Sequence, residues 1–238
     1  VNRRVAIKRV LVKRLLGVVG VVAVVAVLVL INSKMNPASV TEQEPPGHDH
    51  DHGQSPLGTE GTAEMSPEEI ERIVGEYGDK LAVVETNFGT VKFKLYPEDA
   101  PGTVENFAQL ASKGFYRDSP FHRVVKDFVI QSGSPDGSAG GGPGYTIPAE
   151  FNERMHVEGT VAMARADDPD SAGSQFYICL KRVPNLDGKY TVFGQVVEGM
   201  EVVKKIGEVE TGPGDRPIED IVVRNVTIEE ASGSPVSE

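Results

Sequence analysis

The sequence holds one cysteine, Cys179, and no tryptophan. A single thiol cannot build an intramolecular disulfide framework or a zinc site of paired cysteines. Any aromatic platform has to come from nine Phe and six Tyr. A net basic surface is missing too. The formal charge of −11 argues against a general nucleic-acid binder, because neutralising phosphates needs positive charge. Neither G-x-S-x-G nor H-E-x-x-H occurs. Cys179 sits in the apolar run FYICL, which predicts an inert buried thiol. The adjacent acids Asp167 and Asp168 read as a solvated polar loop. These absences point away from covalent catalysis.

What is present suffices for a folded domain. The 238 residues are 39% hydrophobic and 25% charged, too apolar for a wholly disordered chain and too polar for a multi-span membrane protein. Charge is distributed unevenly. Residues 1–14 carry Arg3, Arg4, Lys8, Arg9, Lys13 and Arg14 with no acid, a basic cytoplasmic flank. Residues 15–31 are then uninterruptedly apolar, long enough as a helix to span about 26 Å. This segment is expected to be a transmembrane signal anchor, since it is longer than an ordinary signal-peptide core and no A-x-A site follows. The remainder would lie on the extracytoplasmic side, and secretion after signal cleavage is the alternative.

Residues 32–65 read as a flexible acidic tether, with Pro37, Pro45, Pro46 and Pro56 and six acids against one lysine. Its run HDHDH, with His48, His50 and His52, offers loose metal-ligand chemistry, but the composition reads first as a hydrophilic linker. No metal site is expected.

The folded domain is placed at 66–238, with its core at 81–229. The string SPEE predicts a capping box, with Ser66 as N-cap, Pro67 at N1 and Glu69 at N3. Ile70, Ile73, Val74 and Tyr77 continue it at helical spacing up to Gly78. LAVVETNFGTVKFKLY reads as two antiparallel strands around Asn87-Phe88-Gly89. Thr103 to Ser112 has the pattern of an amphipathic helix, with Val104, Phe107, Ala108 and Ala111 on one face. Strands are predicted at 121–125, 128–132, 159–164, 174–180, 189–197 and 220–228, and a second amphipathic helix from Met200 to Ile206. Short strands with frequent turn signals indicate an antiparallel barrel or sandwich. Gly133 to Gly144 lacks the helix start of a phosphate cradle and reads as a long loop beside a groove.

FHRVVKDFVIQSG, GTVAMA, GSQFYICL and LDGKYTVFGQV, together with YPEDAPGTVENF upstream, resemble the cyclophilin-type peptidyl-prolyl cis-trans isomerases in order across residues 81–229. The resemblance is to bacterial-looking members. It implies a mainly β fold, an eight-stranded closed antiparallel barrel capped by two helices, with an outer substrate groove and no cofactor. Proline-containing polypeptides are the implied partners, and the catalytic domain is expected to be monomeric. Position by position, the resemblance implies catalytic roles for Arg123, Phe128 and Gln131. It implies substrate contacts for Val129, Ala164, Arg165, Gln175, Tyr177, Leu186 and Tyr190. Three residues depart from the commonest pattern: Arg165 stands for Asn, Asn185 for Trp and Tyr190 for His. Loss of that Trp implies weak cyclosporin binding. A non-catalytic proline-peptide module, or a holdase chaperone using the same groove, is the alternative.

The chemistry can be argued from the residues as well. Rotation about X-Pro faces a barrier of about 18–20 kcal/mol because planarity carries amide resonance. In the twisted state the prolyl nitrogen regains a lone pair, and a fixed guanidinium donor binds that state better than either planar isomer. If Lys126-Asp127-Phe128 forms a three-residue connection, Arg123 faces Gln131 and Val125 faces Val129. Gln131 would hold the guanidinium through its oxygen and offer its NH₂ to substrate. His122 and His156 are expected to be satisfied structural imidazoles.

Overall fold

A computed structural model of the chain describes residues 65–231. The basic flank, the apolar segment 15–31 and the HDHDH run lie outside the described residues. Among the described residues no helix is long and apolar enough to cross a membrane.

The chain enters through α1 (Pro67–Tyr77), which carries the predicted capping box. Ser66 Oγ accepts from the Glu69 amide at 3.3 Å, and the Glu69 carboxylate accepts from the Ser66 amide at 2.8 Å. Those two bonds satisfy donors that a helix start otherwise leaves to water, and they hold the Glu69 carboxyl below its usual range. β1 (Lys80–Thr86) and β2 (Gly89–Leu95) then form the expected hairpin, with Thr86 opposite Gly89.

α2 (Pro101–Ser112) begins two residues before its predicted start. Ala100 at its N-cap has no side chain able to cap. Glu150 does that work from a distant loop, accepting from the Gly102 and Thr103 amides at 2.9 and 2.8 Å. Its negative charge also suits the positive end of the helix dipole.

Six further strands follow: β3 (Arg123–Val125), β4 (Val129–Ser132), β5 (Thr160–Met163), β6 (Phe176–Cys179), β7 (Val192–Glu198) and β8 (Val223–Glu230). Helix α3 (Met200–Gly207) lies between the last two. The eight strands form one antiparallel sheet in the order β3-β4-β6-β5-β7-β2-β1-β8.

The expected closed barrel is corrected by this order. β3 and β8 end the ladder without pairing as strands, so the barrel is an open half-barrel. The segment before β3 makes the only approach among the described residues: Asp118 and Phe121 donate to Val223 and Ile221, and Val223 donates to Ser119, at 2.7–2.9 Å. Asp118 is left-handed (φ 59°) and Pro120 has no N–H, so a regular ladder cannot continue across this seam.

Two-residue periodicity divides the sheet's side chains between two cores. Phe176 and Ile178 of β6, Val161 and Met163 of β5, and Ile130 of β4 face the main core. There Phe107 of α2 packs against Phe93, Tyr116, Phe176 and Phe193 with ring centroids 5.0–5.7 Å apart. The alternate residues Val129, Ala162, Tyr177 and Cys179 face outward into a second, smaller apolar cluster. Phe128, Ala164, Leu186 and Tyr190 complete it at the surface. β5 and β6 are consequently buried on both faces, although both lie in an antiparallel sheet.

Candidate active site

The site is built on the outer face of β3, β4 and β6. Asp127, with φ of 55°, closes the turn after β3, and Phe128 donates to Val125 at 3.0 Å. The connection sets the expected register, Arg123 opposite Gln131 and Val125 opposite Val129. Arg123 Nη1 donates to Gln131 Oε1 at 3.4 Å. Its Nε lies 3.5 Å from the Asp215 carboxylate, which sequence patterning did not single out.

Beside the guanidinium is a pocket of about 140 Å³ lined by Arg123, Phe128, Val129, Gln131, Ala164, Arg165, Tyr177, Leu186 and Tyr190. Every candidate residue except Gln175 meets there. Gln175 lines a cavity of about 750 Å³ next door, walled by residues 139–146 of the glycine-rich loop, and the two share Gln131, Ala164 and Arg165. The expected loop beside a groove is therefore present. Gly133 starts it with φ of 90°, in a backbone approach so close that a Cβ would lie 2.3 Å from the Ser174 carbonyl oxygen.

The Gln131 NH₂ group is not wholly free, because Nε2 donates to Gln175 Oε1 at 2.9 Å. Gln175 in turn donates to the carbonyls of Ala139 and Gly141 at 2.9 and 2.8 Å. A continuous hydrogen-bonded row thus runs from Arg123 through both glutamines to the loop backbone.

The pocket's back wall is fixed from behind. Tyr177 is buried, and its hydroxyl lies 2.9 Å from His156 Nε2. His156 Nδ1 lies 3.2 Å from Asp187 Oδ1, which also accepts from the His156 backbone amide at 2.8 Å. Bonding to Arg182, and then to the His156 amide, holds the Asp187 carboxyl at about 2. An ionised Asp187 requires Nδ1–H, leaving Nε2 to accept from the tyrosine hydroxyl. Burial lowers the His156 pKa despite that carboxylate, and burial likewise raises the Tyr177 phenol well above its ordinary range. His156 is thus a satisfied imidazole, as expected. Its two side-chain partners were not legible in the sequence.

His122 differs. It is buried, and neither ring nitrogen has a hydrogen-bond partner among the described residues. Burial lowers its pKa; the Pro120 carbonyl and the Gln175 side chain, which lie nearby without well-formed bonds, favour the protonated ring, and the cations Arg216 and Arg123 oppose it.

Arg165 is a clamp. Nε and Nη2 donate to the Lys189 carbonyl at 3.1 Å each, and Nη1 donates to those of Ala166 and Asp167 at 2.8 and 3.0 Å. The guanidinium also lies 4.8 Å from the Tyr190 ring centroid, so it holds the pocket's rim. Cys179 is buried behind the pocket, and burial pushes its thiol up to about 12, in keeping with an inert role. No group of three or more His, Cys, Asp or Glu able to hold a metal ion occurs among the described residues.

Such an arrangement presents a fixed cation to the rim of a small apolar pocket and has no nucleophile in its lining. It suits recognition of a neutral ring next to a site of developing electron density.

Comparison with known proteins agrees with this geometry. Residues 81–228 match the family described as cyclophilin type peptidyl-prolyl cis-trans isomerase/CLD. The chain is 41% identical over 146 residues to human peptidyl-prolyl cis-trans isomerase-like 1, covering 59% of this chain and 87% of that protein. It is 45% identical over 127 residues to a peptidyl-prolyl cis-trans isomerase of Synechococcus elongatus, covering 52% of this chain and 87% of the other. Among solved structures, a Cryptosporidium parvum cyclophilin type isomerase, crystallised in the presence of the dipeptide Ala-Pro, superposes with a TM-score of 0.61 at 31% identity. That match covers 63% of this chain and 99% of that one.

Proposed function

From the premise that the chain belongs to the cyclophilin-type peptidyl-prolyl cis-trans isomerases, we propose that Arg123 is its catalytic group and that its clients are exported polypeptides. The observation that carries the catalytic assignment is the meeting of Arg123 with a 140 Å³ apolar pocket of pyrrolidine-ring scale. Phe128, Val129, Tyr177, Leu186 and Tyr190 would hold the proline ring and exclude water. With the ring held, the guanidinium donates to the prolyl nitrogen as the amide twists and its lone pair localises. No proton is removed and no bond is made. A drier pocket strengthens that hydrogen bond, since less water competes for the donor.

The residues around Arg123 support this role. Gln131 accepts from Nη1 and so limits the rotation of the guanidinium plane. Arginine suits the task because its planar fork can be fixed by neighbours and it never deprotonates. Phe128 and Gln131 are proposed to act with Arg123 at the twisting bond. Val129, Ala164, Arg165, Gln175, Tyr177, Leu186 and Tyr190 are proposed to shape the substrate site.

The test is a protease-coupled assay of an X-Pro peptide with the full chain in detergent. Arg123→Ala should lower kcat/KM on the order of 10²-fold, as for loss of one preorganised donor, while the fold persists. Unchanged turnover in the variant rejects the assignment. A wild type without turnover that suppresses aggregation of an unfolded client makes the groove a holdase surface instead.

Residues 15–31 are proposed to anchor the domain on the extracytoplasmic side, supported by their apolar length and basic flank. Mass spectrometry of the mature amino terminus tests this: a start between about 33 and 45 means cleavage and release.

A further inference from the structure

Asp215 is the one carboxylate among the described residues that pairs with Arg123, and the chain goes to some trouble to put it there. It ends a short 3-10 turn, Pro213–Asp215, inside a loop closed by a Thr211–Pro217 bridge and a 2.8 Å bond from the Gly212 amide to the Arg216 carbonyl. Gly214 and Asp215 are successive left-handed residues, with φ of 72° and 60°. The glycine adopts that conformation freely, whereas Asp215 does so at a conformational cost. Core packing does not account for it, because the Asp215 side chain is 51% exposed.

The next residue pins the loop from the other side. Arg216 Nη1 donates to the Gly137 carbonyl at 3.1 Å, tying the turn to the glycine-rich loop of the larger cavity. A Cβ at Gly137 would lie 2.7 Å from Pro120 and 3.3 Å from Arg216 Nη2, so this approach depends on glycine. A left-handed residue beside an anchored Arg216, with its carboxylate next to a site arginine and outside the core, invites a functional reading.

We infer that Asp215 is a positioning residue for the isomerisation: with Gln131 it fixes the plane of the Arg123 guanidinium and leaves Nη2 free for the prolyl nitrogen. One acceptor on Nη1 lets the guanidinium swing about that contact. The Asp215 carboxylate, 3.5 Å from Nε, opposes that swing by charge attraction. Nη2 has no partner among the described residues. The loop that carries Asp215 also holds the wall of the neighbouring cavity, so substrate seated there and the arginine at the pocket share one support. This inference rests on the isomerase reading of the same site.

The experiment compares full-length D215G, D215N and wild type, each also in an R123A background. Glycine keeps the left-handed backbone and removes the acceptor, while asparagine keeps both the backbone and an acceptor oxygen. D215G should lower kcat about threefold to tenfold with KM within about twofold, because orientation matters most in the twisted state. D215N should keep more of the activity than D215G. In the R123A background D215G should have no further effect. Wild-type kcat in D215G, or an additional loss in the R123A background, overturns the inference and leaves the isomerase reading standing. A wild type without turnover overturns that reading itself, and this inference with it.

Discussion

Gln131 donates to Gln175 across 2.9 Å, and this contact joins the arginine site to the glycine-rich loop. Each member of the row constrains the next: Arg123 is held by Gln131, Gln131 by Gln175, and Gln175 by the carbonyls of Ala139 and Gly141. Gln175→Ala removes one acceptor and two donors from this row. Losing one such contact corresponds to about 1 kcal/mol, so kcat/KM should fall by roughly fivefold to tenfold. The loop should loosen in parallel, which hydrogen exchange at residues 139–142 would read. Unaltered exchange together with turnover within twofold of wild type would show that the glutamines are neighbours without coupling.

How far the site was legible depended on sequence separation. Arg123 opposite Gln131 followed from strand alternation and a three-residue connection, both local features. The Ser66–Glu69 capping box was legible for the same reason, all of it lying within one helical turn. Glu150 at the start of α2 and Asp215 beside Arg123 were not, since nothing in a local pattern says which distant loop reaches a given donor. The open seam was also missed. It follows from Asp118 and Pro120, which lie just before the strand predicted at 121–125 and keep its amino-terminal approach to β8 from forming a regular ladder. His156 was read correctly as a structural imidazole, while its partners Tyr177 and Asp187 come from two other segments.

The unpartnered His122 makes stability depend on pH in a defined sense. Burial lowers its folded pKa below the ordinary 6.5, so the unfolded chain binds the proton more readily. Stability from this group is therefore complete above that value and is lost as pH falls through it toward the folded pKa. The thermal midpoint of the wild type should decline as pH falls below about 6.5, the unperturbed histidine value. His122→Leu should flatten part of that decline. It should cost little at neutral pH, because no well-formed side-chain hydrogen bond is removed, only the loose approaches to the Pro120 carbonyl and Gln175. His156 remains in the variant with its own lowered pKa, so flattening should be incomplete. Scanning calorimetry at several pH values would measure both slopes, and parallel slopes would count against His122 as a source.

Tyr177 separates what the pocket needs for shape from what it needs for stability. Its ring lines the small pocket beside Arg123 and meets Tyr190 edge-on at 5.9 Å, whereas its hydroxyl points away to His156 at 2.9 Å. Tyr177→Phe keeps the wall and removes only the rear contact. The change touches no transition-state donor, so kcat/KM should stay within about threefold of wild type, far short of the loss expected on deleting one. Stability should fall by more than this conservative change suggests. His156 Nε2 would be left buried without a donor, a deficit of about 1–3 kcal/mol. Its Nδ1–H would remain on Asp187, so the ring could not turn to find another partner without breaking that bond. Denaturant midpoints and coupled-assay rates on the same preparations distinguish the two effects. A large loss of turnover with an unmoved midpoint would mean that the hydroxyl, rather than the ring, serves the substrate.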